Sequence, residues 1–271
     1  MIREKDGIVY VSAANLEKAG VRHAFVGRGG GVSEGAFAGL NLGLFTEDRA
    51  ERVAENERRF CRAFGVKTLI RVRQVHGREV LAVDRAVEDE KLWRKTERDA
   101  IITNQAGAAL AVLTADCVPV ILYDPARRVA GIAHAGWRGT CLKAAAAAVE
   151  AMQKWFNCRP GDILAGIGPG IGPCCYTVEG PVIRAAEESF GADTSKVICH
   201  RDDHTPVFDL IAANRLILEQ AGLAPGSIET TDLCTSCRPD LFFSHRRDRG
   251  KTGRQINFVM LGFSGERPSE L

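Results

Sequence analysis

Three short segments carry side chains able to do chemistry. They are Arg73-Gln74-Val75-His76-Gly77, Leu113-Thr114-Ala115-Asp116-Cys117-Val118-Pro119 and His134-Ala135-Gly136-Trp137-Arg138-Gly139. Each sets a His or a Cys where an apolar run breaks into Gly, Pro or polar residues, and loops at strand ends are where rigid scaffolds carry sites. His76, Cys117 and His134 together supply two imidazoles and one thiolate. That is a donor set for an open zinc site whose fourth position takes water or substrate. Ligands drawn from distant segments suit a catalytic ion, since structural sites more often use close pairs. Each residue also has a plainer reading, as a core or capping histidine or a buried thiol.

Cys234-Thr235-Ser236-Cys237 is a lone C-x-x-C. The other close pair is Cys174-Cys175, and adjacent cysteines chelate one metal poorly. These four are therefore expected to be buried or site-lining thiols, in preference to a zinc ribbon or a redox pair. The densest basic stretch runs from His245 to Arg254. It reads either as a solvated loop or as an anion site, because the Arg fork matches phosphate and carboxylate. The glycine-rich runs at 27–32 and 166–171 miss the dinucleotide spacing, and Gly250-Lys251-Thr252 lacks the upstream glycine of a phosphate loop because His245 stands there.

The chain has 271 residues, 45% hydrophobic and 26% charged, which suits one large domain or two small ones with a sizeable core, a single domain over 1–271 being the expectation. A net charge of +2 gives no reason to expect nucleic acid or an anionic membrane as partner. No apolar run reaches membrane-spanning length. The charged opening Met1-Ile2-Arg3-Glu4-Lys5-Asp6 lacks the pattern of a secretory signal, so a cytoplasmic, monomeric protein is expected. Its nine cysteines are then expected to be reduced, with no disulfides, and Cys61, Cys141, Cys158 and Cys199 to be packing residues.

Strands are expected at 8–11, 23–26, 109–114, 118–123, 129–133, 163–167 and 255–263. Helices are expected at 49–64, at 140–156 with Thr140 as its cap, at 182–190 and at 210–221. Strands of the central block are apolar throughout, as in sheets buried on both faces. The mixture of hairpins and helices predicts an α+β fold with a central sheet covered by helices.

At this point the sequence resembles the YfiH/LACC1 family, also known as the laccase-domain or multicopper polyphenol oxidase family. The resemblance is carried by Gln74-Val75-His76-Gly77, Ala115-Asp116-Cys117 and His134-Ala135-Gly136-Trp137-Arg138-Gly139. It extends to 28–33, Leu40-Asn41-Leu42-Gly43, 168–176, 234–237 and Phe242-Phe243-Ser244-His245-Arg246-Arg247-Asp248, covering about 21–263. The resemblance implies a layered α/β/β/α sandwich of the CNF1/YfiH-like kind, similar to a cysteine-hydrolase-like toxin domain. It implies His76, Cys117 and His134 as zinc ligands. It further implies phosphorolysis of adenosine, inosine and methylthioadenosine to a free base and a ribose 1-phosphate, with adenosine deamination also attributed to the family. An open zinc site, able to activate water or hold an anion, agrees with both.

On that basis Arg246, Arg247 and Arg254 are candidates to neutralise phosphate, with Arg28 and Arg138 behind them. Asp116 reads as an orienting carboxylate, a general acid/base or a turn cap. Asn41 either hydrogen-bonds the nucleoside or shapes its turn. The sequence departs from the family pattern at Gly27, Phe45 and His245, where Thr, His and Tyr are frequent. Three other functions compete. A multicopper oxidase needs closely spaced histidines, and the chain has 6 His with no H-x-H pair, although copper in the three-ligand site stays chemically open. A cysteine- or zinc-dependent amide hydrolase in peptidoglycan-precursor editing would use Cys117 as nucleophile. A non-catalytic, zinc-stabilised module would unfold on metal removal.

Overall fold

A computed structural model of the chain describes residues 1–84 and 95–263. Two six-stranded mixed sheets lie face to face. The first holds β1 (Ile2–Lys5), β2 (Ile8–Val11), β3 (Arg22–Val26), β4 (Thr68–Arg71), β7 (Ala108–Thr114) and β14 (Gln255–Met260), in the order β1-β2-β3-β14-β7-β4. The second holds β5 (Val80–Val83), β6 (Ala100–Thr103), β8 (Val118–Asp124), β9 (Val129–Ala135), β10 (Leu164–Ile167) and β13 (Ile228–Thr230), in the order β13-β10-β8-β9-β6-β5. A two-stranded ribbon, β11 (Ile198–His200) with β12 (Pro206–Phe208), stands apart.

Period-two side-chain alternation sorts three cores. Leu110, Val112, Val259, Ile121, Tyr123 and Ile132 meet between the sheets. On the outer face of the first sheet, Ala109, Ala111, Ile256 and Phe258 pack against Phe60 and Phe64 at the end of helix α2 (Ala50–Ala63). On the outer face of the second, Val120, Leu122 and Ala133 pack against helices α4 (Ala144–Phe156), α5 (Gly180–Phe190) and α6 (Leu210–Gln220). The result is the expected α/β/β/α layering. It also explains the unbroken apolar strands, since both faces of each are covered.

The expected elements recur with shifted ends, and one is corrected. The expected helix 140–156 is two helices, α3 (Trp137–Cys141) and α4, because Lys143 takes a left-handed conformation (φ 60°) and breaks the ladder. Thr140 therefore lies inside α3 and caps nothing; its hydroxyl accepts from Asn214 Nδ2 at 3.0 Å. The last strand stops at Met260, short of 263. The short helix α1 (Ala14–Lys18) and strands β1, β4, β5, β6, β11, β12 and β13 were outside the expected set. Most of these are three- or four-residue elements whose pattern is too brief to declare itself.

Candidate active site and metal centre

Strand register brings the three predicted ligands together. In the β8–β9 hairpin Pro119 pairs with His134, so Cys117 and His134 sit at the open end of adjacent strands. On the other side, β6 pairs with β9 and the His134 amide donates to the Asp99 carbonyl at 2.7 Å. His76 comes from the loop between β4 and β5. Its Nε2 lies 3.9 Å from Cys117 Sγ, and its ring stands edge-on to that of His134 with centroids 4.9 Å apart. The three donor atoms all fall within 4.8 Å of one another. Gly136 is what makes room for them. A Cβ there would lie 2.8 Å from Cys117 Sγ and 3.1 Å from His76 Cδ2, closer than side chains tolerate.

Asp99, which sequence reasoning missed, organises the centre. Its fully buried carboxylate accepts from the amides of Val75 (3.2 Å), His76 (3.0 Å) and Gly77 (2.6 Å), and from His134 Nδ1 (2.9 Å). The His134 bond fixes the ring and turns Nε2 toward the centre, the usual carboxylate–histidine support of a metal ligand. The amide bonds hold His76 in a left-handed conformation (φ 60°) that a bulky residue adopts only when its surroundings impose it. The one sequence signal for Asp99 is a lone acid abutting the apolar run Ala100-Ile101-Ile102.

The same groups tune one another. Burial would raise the Cys117 thiol, but the charge and hydrogen bond of His134, with help from His76, override it and hold the thiol at about 6. Burial would lower the His134 imidazole, yet the Cys117 charge and the Asp99 hydrogen bond lift it to about 9. Burial also opposes ionisation of Asp99, and its bonds to His134 and to the Gly77 and Val75 amides outweigh it, so the carboxyl stays below its ordinary value.

The centre opens into a cavity of about 670 Å³, within the range of small-molecule sites. Arg138, Arg246 and Arg254 line it, as do Arg71, Arg73, Gln74, Trp137, Tyr176 and Leu210, which sequence reasoning left out. Arg138 stacks on the Trp137 ring at 4.2 Å, and Arg246 on the Tyr176 ring at 4.9 Å. Burial, together with the Cys117 charge, pushes the Tyr176 phenol up to about 12, so it stays a donor.

Other predicted residues serve this wall from behind. Asp116 (φ 85°) lines the cavity, but both its oxygens are engaged: Oδ1 accepts from Thr235 Oγ1 at 2.6 Å and Oδ2 from the Arg246 amide at 2.7 Å. It orients the basic loop. Arg247 does not face the cavity. Its guanidinium grips Asp248 (2.8 and 2.9 Å) and donates to the carbonyls of Thr235 and Phe242. Arg28 likewise lies outside, donating to the carbonyls of Ala38 and Pro239 and stacking on Phe243 at 4.6 Å. Asn41 is fully buried and satisfied: Oδ1 accepts from the Gly43 and Arg254 amides, and Nδ2 donates to Thr46 and Asp48. It shapes its turn and seats Arg254. Arg28, Arg247 and Asn41 thus do not line this cavity, and of the two readings of Asn41 its bonds match the turn-shaping one.

Of the histidines, His23 is a core residue, accepting from the Ala13 amide with Nε2 while Nδ1 meets the Val21 carbonyl. Among the described residues only two groups of His, Cys, Asp or Glu gather as metal ligands would, and neither is the histidine-rich set of a multicopper centre. No helix among them is long and apolar enough to cross a membrane.

Comparison with known proteins agrees with this geometry. A family profile described as multi-copper polyphenol oxidoreductase laccase matches residues 22–262. The chain is 39% identical over 236 residues to the purine nucleoside phosphorylase YlmD of Geobacillus stearothermophilus, covering 85% of this chain and 86% of that one. It is 36% identical over 248 residues to the human purine nucleoside phosphorylase LACC1, covering 88% of this chain but 55% of the human protein, so the chain spans about half the length of that relative. The crystal structure of YlmD from Geobacillus stearothermophilus superposes with a TM-score of 0.87 at 34% identity, covering 96% and 98% of the two chains. That of the Bacillus licheniformis hypothetical protein YfiH gives 0.86 at 35% identity with the same coverage. The profile match over 22–262, the identity to these relatives and the shared layered fold make this chain a member of the YfiH/LACC1 family, the laccase-domain proteins.

Proposed function

We propose that this chain is a zinc-dependent purine nucleoside phosphorylase acting on adenosine, inosine and methylthioadenosine, with adenosine deamination as a second activity. The observation that carries this is a single cavity in which a two-histidine, one-cysteine centre meets five arginines and the rings of Phe45, Trp137 and Tyr176. The relatives named above as purine nucleoside phosphorylases support it.

His76, Cys117 and His134 fit zinc. With bonds of 2.0–2.3 Å, tetrahedral ligands stand about 3.5 Å apart, close to the 3.9 Å seen between Cys117 and His76. In such a three-ligand site zinc supplies Lewis-acid polarisation of a substrate oxygen or nitrogen. The chain's own residues do the rest. Trp137, Tyr176 and Leu210 offer flat and apolar surface for a purine. Arg138, Arg246 and Arg254 bind the phosphate and hold one oxygen toward the anomeric carbon. That oxygen forms the new bond to C1′ as the C1′–N9 bond breaks. The purine departs with the electron pair and takes up the proton that the hydrogen phosphate gives up, while the arginines keep the phosphate charge compensated.

The test is incubation of purified protein with adenosine, with and without phosphate. Adenine and ribose 1-phosphate are expected only when phosphate is present, and inosine marks deamination. Neither product from metal-replete protein overturns the proposal. A second function, amide hydrolysis, is favoured by one observation: Cys117, His134 and Asp99 form a thiol–imidazole–carboxylate series. It requires that metal-stripped protein release an amine from a peptidoglycan-precursor amide, and lack of release discards it.

A further inference from the structure

A second cluster of thiols lies outside the cavity. Cys174, Cys175, Cys234 and Cys237 bring all four sulfurs within 4.8 Å of one another. Cys237 Sγ is 3.5 Å from Cys174 Sγ and 3.4 Å from Cys175 Sγ. Four sulfurs at 2.3 Å from a tetrahedral zinc stand about 3.8 Å apart, so the cluster is nearly of that size. Nothing in the spacing selects one disulfide: Cys237 is equally near two partners, and all nine cysteines are free.

Adjacent cysteines chelate one ion poorly as a rule, yet a local turn here brings both sulfurs to one neighbour. Residues 172–176 curl into a turn, with the amides of Cys175 and Tyr176 both donating to the Gly172 carbonyl at 2.9 and 3.0 Å. That curl aims Cys174 and Cys175 at the same neighbour. The Gly172 amide also donates to Cys234 Sγ at 3.2 Å, the kind of bond that supports a metal-bound thiolate. Positive charge is close by. Arg201 donates to the Cys174 and Pro173 carbonyls at 2.6 and 3.1 Å, and Arg247 to the carbonyl of Thr235 at 3.0 Å.

We infer that Cys174, Cys175, Cys234 and Cys237 form a second metal site, a closed tetrathiolate holding one zinc ion. Four protein ligands leave no open position, so the ion is structural. Binding Zn²⁺ releases four thiol protons and leaves a complex of net charge −2, with no change of oxidation state. The ion ties the 172–176 turn to the 234–237 loop. Between those loops the Thr235 amide donates to the Gly170 carbonyl at 2.9 Å, Thr235 Oγ1 holds Asp116, and Tyr176 lines the cavity. The site thus fixes one wall of the active site without touching substrate.

Elemental analysis of protein purified with reductant tests this. The Cys117→Ala variant isolates the new site from the first: it is expected to retain one zinc per chain and to protect Cys174, Cys175, Cys234 and Cys237 from iodoacetamide. Adding Cys174→Ser and Cys237→Ser is expected to remove that zinc. Cobalt exchanged into Cys117→Ala protein is expected to show intense sulfur-to-cobalt absorption. Absence of metal from Cys117→Ala protein, free alkylation of the four cysteines, or a disulfide among them in peptides from reductant-purified protein overturns the inference. Because the Cys117→Ala protein carries the test alone, a triple variant that fails to fold leaves the outcome decided.

Discussion

Cys117 and the four-cysteine cluster use the same side chain for opposite ends. Cys117 sits at a strand end, beside two imidazoles, at the head of a deep cavity. Its cluster is incomplete by one ligand, and its thiol is held at about 6 by His134. The other four sit on two surface turns, with Cys174 and Cys237 exposed, and are completed only by one another. There burial and neighbouring thiols push Cys174 up. Partner chemistry, not residue type, separates a centre built to react from one built to hold. Elsewhere burial alone pushes Cys141 up to about 11, the mark of an inert thiol. Cys199, expected to pack, is instead exposed on the small ribbon.

The sharpest way to break this contrast is Cys117→Ala. Loss of the Lewis-acid centre removes several kcal/mol of transition-state stabilisation, so kcat/KM is expected to fall about 10³-fold or more while circular dichroism stays native. Retained activity would mean that the open centre is not where chemistry happens. Next comes Asp99→Asn, which keeps the shape and removes the charge that His134 and three amides share. Zinc affinity at the first centre is expected to drop about 10–100-fold, read by competition with a chromogenic chelator, with the four-cysteine site unaffected.

A smaller effect is expected in metal-stripped protein. Because its pKa is lowered, Cys117 becomes a thiolate as pH rises through about 6. At pH 6.5 it should be alkylated about tenfold faster than Cys174, although Cys174 is more exposed, and its rate should fall below pH 6. Peptide mass spectrometry reads both. Equal rates would erase the electrostatic difference between the two groups. The smallest effect belongs to Arg28→Ala. Its guanidinium serves loop carbonyls, so the KM for phosphate should stay within about twofold, whereas Arg254→Ala should raise it about tenfold. A large change for Arg28 would restore it to the site.

That His76, Cys117 and His134 gather was legible mainly through the family motifs that carry them; their places at strand ends alone left core and capping readings open. The layers were legible because strands buried on both faces leave long apolar runs. Asp99 was hidden because one acid beside a strand says nothing of the four donors that converge on it. The two cysteine pairs were visible, but their convergence was not: Cys174 and Cys237 lie 63 residues apart, and no spacing rule contains the turn that aims them together. Arg28 and Arg247 fall outside the cavity because charge declares that a residue bonds to something, not to what; for Asn41 the sequence left substrate contact and turn-shaping equally open. Lys143 breaks a helix that its immediate neighbours Leu142 and Ala144 favour, which local preference does not record.

His76 and Asp116, both at positive φ, bear on the order of assembly. Each conformation costs about 1–3 kcal/mol and persists only under constraint from outside. For His76 the constraint is Asp99, 23 residues away; for Asp116 it is Thr235 and the Arg246 amide, 119 and 130 residues away. The first constraint needs β5 and β6 to have paired, and the second needs the 235 and 246 loops to have docked beside Asp116. On the proposed reading, the pocket that would hold a metal ion is complete only once both long-range contacts have formed, so metal binding would follow the meeting of distant segments and not precede it.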